Sequence, residues 1–189
     1  MDSSDSSALS DHLLRTLAAV PVSSQILDFG CGDGRHTEAL LRLGFPLHAC
    51  DPRPQAVEQT RDRVRELLEE GDLDTIVQET PLDAIEYPDD TFDWIVADRA
   101  ETYVTNKVNL KTFFEESRRL LKPGGWLYLT LPATPEASVN GTGFTIEIVE
   151  SFRRDANLAE ASEPTRVEDE GEAPRLRAIY RCVDPQTPV

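Results

Sequence analysis

Short apolar runs alternate with amphipathic stretches of helical period along most of this chain. The apolar runs predict strands at 25–29, 47–50, 75–78, 92–97 and 126–131, with two more at about 159–166 and 175–183. Apolar residues spaced three or four positions apart predict helices at 11–20, 36–43, 55–70, 110–121 and 145–156. Strands separated by helices of this length are typical of right-handed crossovers between parallel strands.

This order of elements predicts an α/β fold with a doubly wound, mostly parallel sheet that helices cover on both faces. An acidic stretch at 168–172 separates the last two strands and indicates a hairpin, so a C-terminal strand is expected to run antiparallel. Residues 1–9 are rich in Ser and Asp and are expected to be disordered. The remaining 10–189 have the length of a single domain.

The composition is that of a folded domain with a strongly acidic surface. Of 189 residues, 39% are hydrophobic, and 35 acidic residues oppose 19 basic ones for a net charge of −16. No apolar run approaches the roughly 20 residues of a membrane span, and the N-terminus lacks the pattern of a secretory signal. Three cysteines without a C-x-x-C pair indicate neither a disulfide framework nor a zinc ribbon, so no metal site is expected. A cytoplasmic location with no membrane partner follows by default.

The acidity also restricts the expected partners. A field of this sign repels phosphate backbones, and the sequence contains no basic patch, so DNA is not an expected partner and RNA is disfavoured. Only three of the basic residues are lysine. Adaptation to high salt explains this pattern, and so does ordinary acidity combined with an arginine-biased codon supply.

A glycine-rich loop after the first predicted strand carries the candidate chemistry. Residues 28–34 read Asp-Phe-Gly-Cys-Gly-Asp-Gly, and the glycines permit positive φ and close approach of a ligand to the backbone. The loop departs from the dinucleotide pattern G-x-G-x-x-G, because its third glycine comes one residue early and Arg35 takes that place. Asp28 and Asp33 would crowd a pyrophosphate with negative charge, whereas they would attract a ligand with a cationic centre.

Asp51 ends the second predicted strand, at the position where a carboxylate accepts both ribose hydroxyls in nucleoside-binding sheets. Pro52 follows and is placed to lie against an adenine ring. The cleft therefore favours a nucleoside that has a ribose diol and a positive charge and that carries no phosphate. S-adenosyl-L-methionine fits this description.

Four blocks of the sequence resemble the motifs of the class I S-adenosylmethionine-dependent methyltransferases, in the order in which that family has them. They are residues 26–52, 87–98, 118–132 and 144–158. The resemblance covers about 25–158 and implies a seven-stranded Rossmann-like sheet, S-adenosyl-L-methionine as cofactor and methyl transfer to a small molecule. The last block departs from the family, since Ala156-Asn157-Leu158 stands where an Ala-Gly-Phe sequence is usual. The family's Asn/Asp-Pro-Pro-aromatic block is replaced by residues 97–100, which argues against methylation of DNA bases.

The resemblance implies a role for each matching residue. Asp98 ends one of the matching blocks and is a candidate catalytic residue. Tyr103 and Glu101 lie outside the blocks; because they follow the fourth predicted strand, they are expected to line the acceptor pocket, and Tyr103 is the second candidate catalytic residue. Asp83 is expected to contact the adenine amine, with the backbone of Leu82 as its rival. The full cofactor-binding set implied by the resemblance is Asp28, Gly30, Cys31, Gly32, Asp51, Pro52, Asp83, Ala97 and Asp98.

Each histidine has a structural or surface explanation as well as, or instead of, a functional one. His36, in the helix after the glycine loop, is expected to be a solvated or capping residue more than a catalytic one. His12 could close over the cofactor or lie on the surface, and His48, inside the second strand, is expected to be structural.

The methyl acceptor remains open at this stage. The acceptor atom can be oxygen, nitrogen or carbon, and a base is needed only where the acceptor must lose a proton. A small acceptor is favoured because 189 residues leave no room for an inserted cap domain, and a homodimer could complete an open pocket. The alternatives are a binding module that has lost the chemistry, and a methyltransferase acting on a protein.

Overall fold

A seven-stranded sheet organises the chain. The structure is a computed structural model and describes residues 11–69, 71–133, 144–167 and 173–183. The strands are β1 (Ile26–Phe29), β2 (Leu47–Asp51), β3 (Val77–Glu79), β4 (Phe92–Ala97), β5 (Leu121–Pro132), β6 (Leu158–Val167) and β7 (Arg175–Cys182). The helices are α1 (Asp11–Leu17), α2 (Arg35–Arg42), α3 (Pro54–Val64), α4 (Leu73–Ile76), α5 (Lys107–Leu120) and α6 (Ile146–Asp155).

The strand order is β3-β2-β1-β4-β5-β7-β6. The pairs from β3 to β5 are parallel, and β7 runs antiparallel to both of its neighbours, β5 and β6. This topology confirms the predicted doubly wound sheet and its antiparallel C-terminal strand. The order reverses between β1 and β4, so a crevice opens beside the carboxyl end of β1.

Alternate residues of the central strands feed two apolar layers. Leu27 of β1 joins a cluster with Phe113 and Phe114 of α5, whereas its neighbour Ile26 packs with Leu13 of α1 on the other face. All four residues of β1 are buried, as expected for a parallel strand covered by helices on both sides. The core therefore holds β1 rigidly beneath the loop that follows it.

The region between β2 and β3 differs from the prediction. The helix expected at 55–70 ends as α3 at Val64 and continues only as a 3₁₀ turn to Leu67. The first part of the strand expected at 75–78 is the short helix α4. A helical turn brings positions four apart onto one face, which allows Leu73 and Val77 to pack in the same apolar cluster.

Residues 122–125, which precede the strand predicted at 126–131, form the first part of β5. Gly124 adopts a φ of 82°, and the pairing of β4 with β5 shifts register between Phe92 and Trp94. A Cβ on Gly125 would lie 3.1 Å from the carbonyl oxygen of Asp93, so glycine allows the two strands to approach here. The glycines therefore mark an irregular strand start rather than a separate turn.

Two expectations fall on other parts of the chain. The N-terminal segment 1–9 and the acidic hairpin tip 168–172 lie outside the described residues, as does most of the loop between β5 and α6. Within the described ranges, the helices are all too short or too polar to cross a bilayer.

Candidate active site

A cavity of about 320 Å³ opens at the carboxyl edge of the sheet. It lies where β1 and β4 meet, the position that the strand order predicts for a ligand. Its walls come from the loop after β1, the start of α2, the residue before α3 and the segment after β4. The lining residues are Gly30, Cys31, Gly32, Asp33, Arg35, His36, Arg53, Asp98, Arg99, Glu101 and Thr102.

Glycine is required at two places in the loop after β1. Gly30 has a φ of 95°, and a Cβ there would lie 2.9 Å from Thr102 Oγ1. Gly34 has a φ of 81°, and a Cβ there would lie 2.8 Å from the Cα of Thr60 in α3. Both the positive φ and the close contacts exclude a side chain. The loop is thereby pressed between α3 and the segment after β4, which shapes the cavity floor.

Asp28 lies beneath this loop and does not reach the cavity surface. Its side chain is buried, and Thr37 of α2 donates a hydrogen bond of 2.6 Å to Asp28 Oδ2. Burial raises the pKa of Asp28, while the nearby His36 and the Thr37 hydroxyl act in the opposite direction. Asp28 therefore supports the loop from below, and its contribution to a ligand is electrostatic.

Asp51 stands at the carboxyl end of β2, where the sequence predicted the ribose acceptor. Gly32 N–H donates to Asp51 Oδ2 over 3.1 Å, which ties the glycine loop to β2. The guanidinium of Arg53 covers the same carboxylate. Sequence reasoning missed this arginine, although its place two residues after Asp51 was a usable signal.

The other predicted cofactor residues are distributed around this edge of the sheet. Pro52 is half-buried next to Asp51. Ala97 is fully buried and contributes its side chain to the core. Asp83 lies in an exposed turn after β3, apart from the residues lining the cavity, and Leu82 packs partly against the core. The predicted contacts of Asp83 and Pro52 with adenine stay predictions.

His36 and Asp98 face each other across the cavity wall. His36 Nε2 lies 3.4 Å from Asp98 Oδ2, and both side chains are partly exposed to the cavity. The Thr130 hydroxyl donates to Asp98 Oδ1 over 2.6 Å and accepts from the backbone N–H of Arg99 over 2.7 Å. Arg99 has a φ of 59°, an uncommon conformation that presents this N–H to Thr130. The carboxylate of Asp98 is thus fixed with one oxygen toward His36.

The structure places His36 on the cavity wall. The sequence favours a solvated or capping residue at this position, and a catalytic role for His36 stays a hypothesis. The available signal was its position in the first turn of the helix after the glycine loop, because that turn lies at the same edge of the sheet as the loop.

The structure does not bring Tyr103 to the cavity as the predicted catalytic residue. Its side chain is 4% exposed, its ring packs edge-on against Phe29, and its hydroxyl donates to the carbonyl oxygen of Thr80 over 2.8 Å. Burial raises the pKa of Tyr103 far above its usual value. Tyr103 is a structural residue that joins the segments after β3 and β4, which corrects the sequence-based expectation.

The cavity carries both signs of charge. Asp33, Asp98 and Glu101 line it together with Arg35, Arg53 and Arg99, although the chain as a whole is strongly acidic. Such a lining suits the ammonium and the carboxylate of an amino-acid end. Thr102 Oγ1 is buried with no hydrogen-bond partner among the described residues. The mixed charges of the lining therefore fit the methionine end of S-adenosyl-L-methionine.

Comparisons with known proteins identify the family. Residues 26–125 match the family described as "Methyltransferase domain". The human mitochondrial ubiquinone biosynthesis O-methyltransferase is 32% identical over 133 residues, which cover 64% of this chain and 33% of the relative. A ubiquinone biosynthesis O-methyltransferase from Xanthomonas campestris pv. campestris is 34% identical over 115 residues, covering 60% of this chain and 46% of the relative. The chain thus spans between a third and a half of the length of these curated relatives.

A solved structure extends the likeness beyond the matched motifs. N-methyltransferase NodS from Bradyrhizobium japonicum WM9, in complex with S-adenosyl-L-homocysteine, superposes with a TM-score of 0.72 and 21% identity. The superposition covers 92% of this chain and 85% of NodS, and it supports the fold. The family match spans β1 through the start of β5 and contains the glycine loop, Asp51 and Asp98. The chain therefore belongs to the methyltransferase domain family, the S-adenosylmethionine-dependent methyltransferases of class I that its sequence motifs resemble.

Proposed function

We propose that this chain transfers the methyl group of S-adenosyl-L-methionine to a hydroxyl oxygen of a small molecule. The observation that carries the proposal is the His36–Asp98 pair on the cavity wall, with 3.4 Å between Nε2 and Oδ2. A hydroxyl is a weak nucleophile until its proton is removed, so an oxygen acceptor benefits from a positioned base. The names of the curated relatives, which are O-methyltransferases, support the same acceptor atom.

Different residues around the cavity would hold different parts of the cofactor. The loop that contains Gly30 and Gly32 would take the methionine end, together with the mixed charges of the lining. Asp51 and Pro52 would hold the ribose and the adenine. When bound, the cofactor supplies an electrophilic methyl group on a sulfonium. The protein's main contribution is then to align the acceptor, which can lower the barrier by several kcal/mol.

The His36–Asp98 pair would receive the proton of the acceptor. With Nε2 directed at Asp98, the Nδ1 atom of His36 is the one that takes a proton from the hydroxyl. The carboxylate of Asp98 then stabilises the imidazolium that forms, and its orientation depends on the hydrogen bond from Thr130. The buried carboxyl of Asp28 interacts with His36 from below in the same sense.

Labelled methyl transfer to a panel of small acceptors tests the proposal. The panel contains phenol and catechol as hydroxyl acceptors, a primary aliphatic amine and a carboxylic acid, each incubated with the chain and methyl-labelled S-adenosyl-L-methionine. We expect labelled ethers from the hydroxyl acceptors. Transfer confined to the amine or to the carboxylic acid would contradict the hydroxyl assignment.

Substitution of His36 separates its proton-transfer role from cofactor binding. His36→Gln should lower kcat by about 10²–10⁴-fold, the usual contribution of a general base. The affinity for S-adenosyl-L-homocysteine, measured by calorimetry, should stay within about twofold of the wild type, since this ligand needs no base. His48→Gln is the matched control, because His48 packs against Tyr87 and Phe92 away from the cavity. A large loss of affinity in His36→Gln would mean that His36 holds the cofactor instead.

A further inference from the structure

We propose that Arg53 is a built-in competitor of the cofactor's ribose, so that the nucleoside can bind only when the Arg53 side chain leaves Asp51. The inference rests on the proposed function, in which Asp51 holds the ribose diol. It adds a residue that sets the affinity of the site and makes that affinity depend on salt.

The hydrogen bonds of Asp51 carry the argument. Oδ1 accepts from the backbone N–H of Arg53 over 3.0 Å and from Arg53 Nε over 2.8 Å. Oδ2 accepts from the backbone N–H of Gly32 over 3.1 Å and from a terminal guanidinium nitrogen of Arg53 over 3.0 Å. An ionised carboxylate has about four acceptor sites, two on each oxygen. Each oxygen thus has one backbone donor and one guanidinium donor, and the carboxylate has no acceptor site left for a ligand.

The two kinds of donor differ in whether they can leave. The backbone donors belong to the glycine loop and to the chain before α3, where Pro52 and Pro54 restrict the backbone on either side of Arg53. The guanidinium is carried on a side chain that is 55% exposed, whereas the side chain of Asp51 is 0% exposed. Rotation of this one side chain would therefore uncover Asp51 without any backbone movement. It would free one acceptor site on each oxygen, the number that two ribose hydroxyls need.

The competition also predicts a salt effect of unusual sign. The Arg53–Asp51 contact is an ion pair with an exposed partner, so added salt weakens it. The hydrogen bonds of a neutral diol to Asp51 are screened much less. Rising salt should therefore strengthen nucleoside binding in the wild type, and this dependence should disappear when Arg53 is replaced.

Calorimetric titration with S-adenosyl-L-homocysteine tests the proposal, because this ligand lacks the sulfonium charge that Arg53 would repel. Arg53→Gln should bind it about two- to fivefold more tightly than the wild type, the factor expected for a partly exposed ion pair. Arg53→Lys should fall between the two, since lysine keeps the charge but loses the two-pronged geometry. Arg65→Gln is the matched control, because Arg65 follows the same helix and pairs with the exposed Asp62.

A second probe asks whether the ribose is the group that competes. Adenosine and 2′-deoxyadenosine are compared in the wild type and in Arg53→Gln. Removing one hydroxyl should reduce affinity more in Arg53→Gln than in the wild type, because in the wild type the diol must first displace the guanidinium. Repeating the titrations at ~0.1 M and at ~2 M salt measures the salt dependence. At the higher concentration the Debye length is below about 3 Å.

The outcomes separate this inference from the proposed function. If the wild type binds S-adenosyl-L-homocysteine and Arg53→Gln binds it equally well or more weakly, Arg53 is not a competitor, while the cofactor assignment stands. If neither protein binds the ligand at either salt concentration, the cofactor assignment fails and the competition fails with it. Tighter binding by Arg53→Gln with the salt dependence removed supports the inference.

Discussion

Arg175 at the start of β7 forms a two-pronged ion pair with Glu101 after β4, with nitrogen–oxygen distances of 2.8 and 2.6 Å. The contact links the antiparallel strand of the sheet to the wall of the cavity. The side chain of Arg175 is only 14% exposed and that of Glu101 is 36% exposed, so the pair is shielded on one side from solvent. The ion pair holds Glu101 in place in the cavity wall, and the guanidinium of Arg175 neutralises the charge of its carboxylate.

Breaking this pair should destabilise the chain and loosen the acceptor side of the cavity. Arg175→Met leaves Glu101 without its partner, and we expect a loss of about 1–3 kcal/mol in the free energy of unfolding. Glu101→Gln should cost less, because a neutral amide still accepts a hydrogen bond. Denaturant unfolding of both single variants and the double variant gives the coupling energy. A coupling near zero would show that the pair contributes nothing to stability.

Tyr103→Phe should affect stability and leave the chemistry intact. The variant removes the hydroxyl that donates to the carbonyl oxygen of Thr80, and a buried acceptor without its donor costs about 1–3 kcal/mol. Because the hydroxyl points into the core, kcat should remain within about twofold of the wild type. Thermal unfolding and kcat are measured on the same preparation. A large fall in kcat with unchanged stability would restore the catalytic role that the sequence suggested.

Gly34 in the glycine loop and Gly44 after α2 offer a matched pair of substitutions. Gly34→Ala places a Cβ 2.8 Å from the Cα of Thr60 at a φ of 81°, while Gly44→Ala meets nothing within 4 Å at a similar φ of 88°. The second variant should lose about 1 kcal/mol of stability from backbone strain alone. Gly34→Ala should lose this amount and about 2 kcal/mol more, because α3 must move. Equal losses would mean that the loop is not pressed against α3.

Asp28→Asn tests the buried carboxyl through its pH dependence. Burial raises the pKa of Asp28 in the folded state above its value of 3.8 in the unfolded chain. The folded state therefore binds this proton more tightly, and stability is lost as pH rises through the folded-state pKa. Asparagine carries no charge at any pH, so the variant should be more stable than the wild type by about 1–3 kcal/mol at neutral pH.

The difference between the two proteins should shrink as the pH falls through the folded-state pKa and should vanish below the unfolded pKa, since Asp28 is then protonated in both states. Urea unfolding at several pH values measures it. A wild type that is more stable than Asp28→Asn at neutral pH, and that loses this advantage as the pH falls, would mean that hydrogen bonds outweigh burial and that the carboxylate is stabilising. Cofactor affinity should fall in the same variant if Asp28 shapes the methionine pocket.

The net charge of −16 predicts a response of stability to salt. Raising salt from ~0.1 M to ~2 M should raise Tm, because screening relieves repulsion among the acidic side chains. The Arg65→Gln and wild-type proteins should respond alike, since one charge changes the total little. An unchanged Tm would favour the arginine-biased codon supply as the origin of the composition.

The sequence by itself determined the order of elements and the place of the site. Short, mostly apolar runs located strands such as β1 and β4 closely, because a parallel strand that helices cover on both sides is apolar over most of its length. The glycine loop and Asp51 predicted a nucleoside site at the carboxyl edge, since parallel strands have their ends at one edge. Local pattern failed at α4, where helical spacing in a short apolar run was indistinguishable from a strand.

Only the tertiary structure decided which side chains meet. Three strands, β2 to β4, lie between His36 and Asp98 in the sequence. The β1–β4 pairing brings the two side chains within 3.4 Å of each other. Tyr103 follows Asp98 by a few residues, yet its ring enters the core against Phe29 because a 3₁₀ turn reverses its direction. The direction of a side chain depends on local backbone geometry and on the packing around it. The spacing of residue types along the sequence determines neither of them.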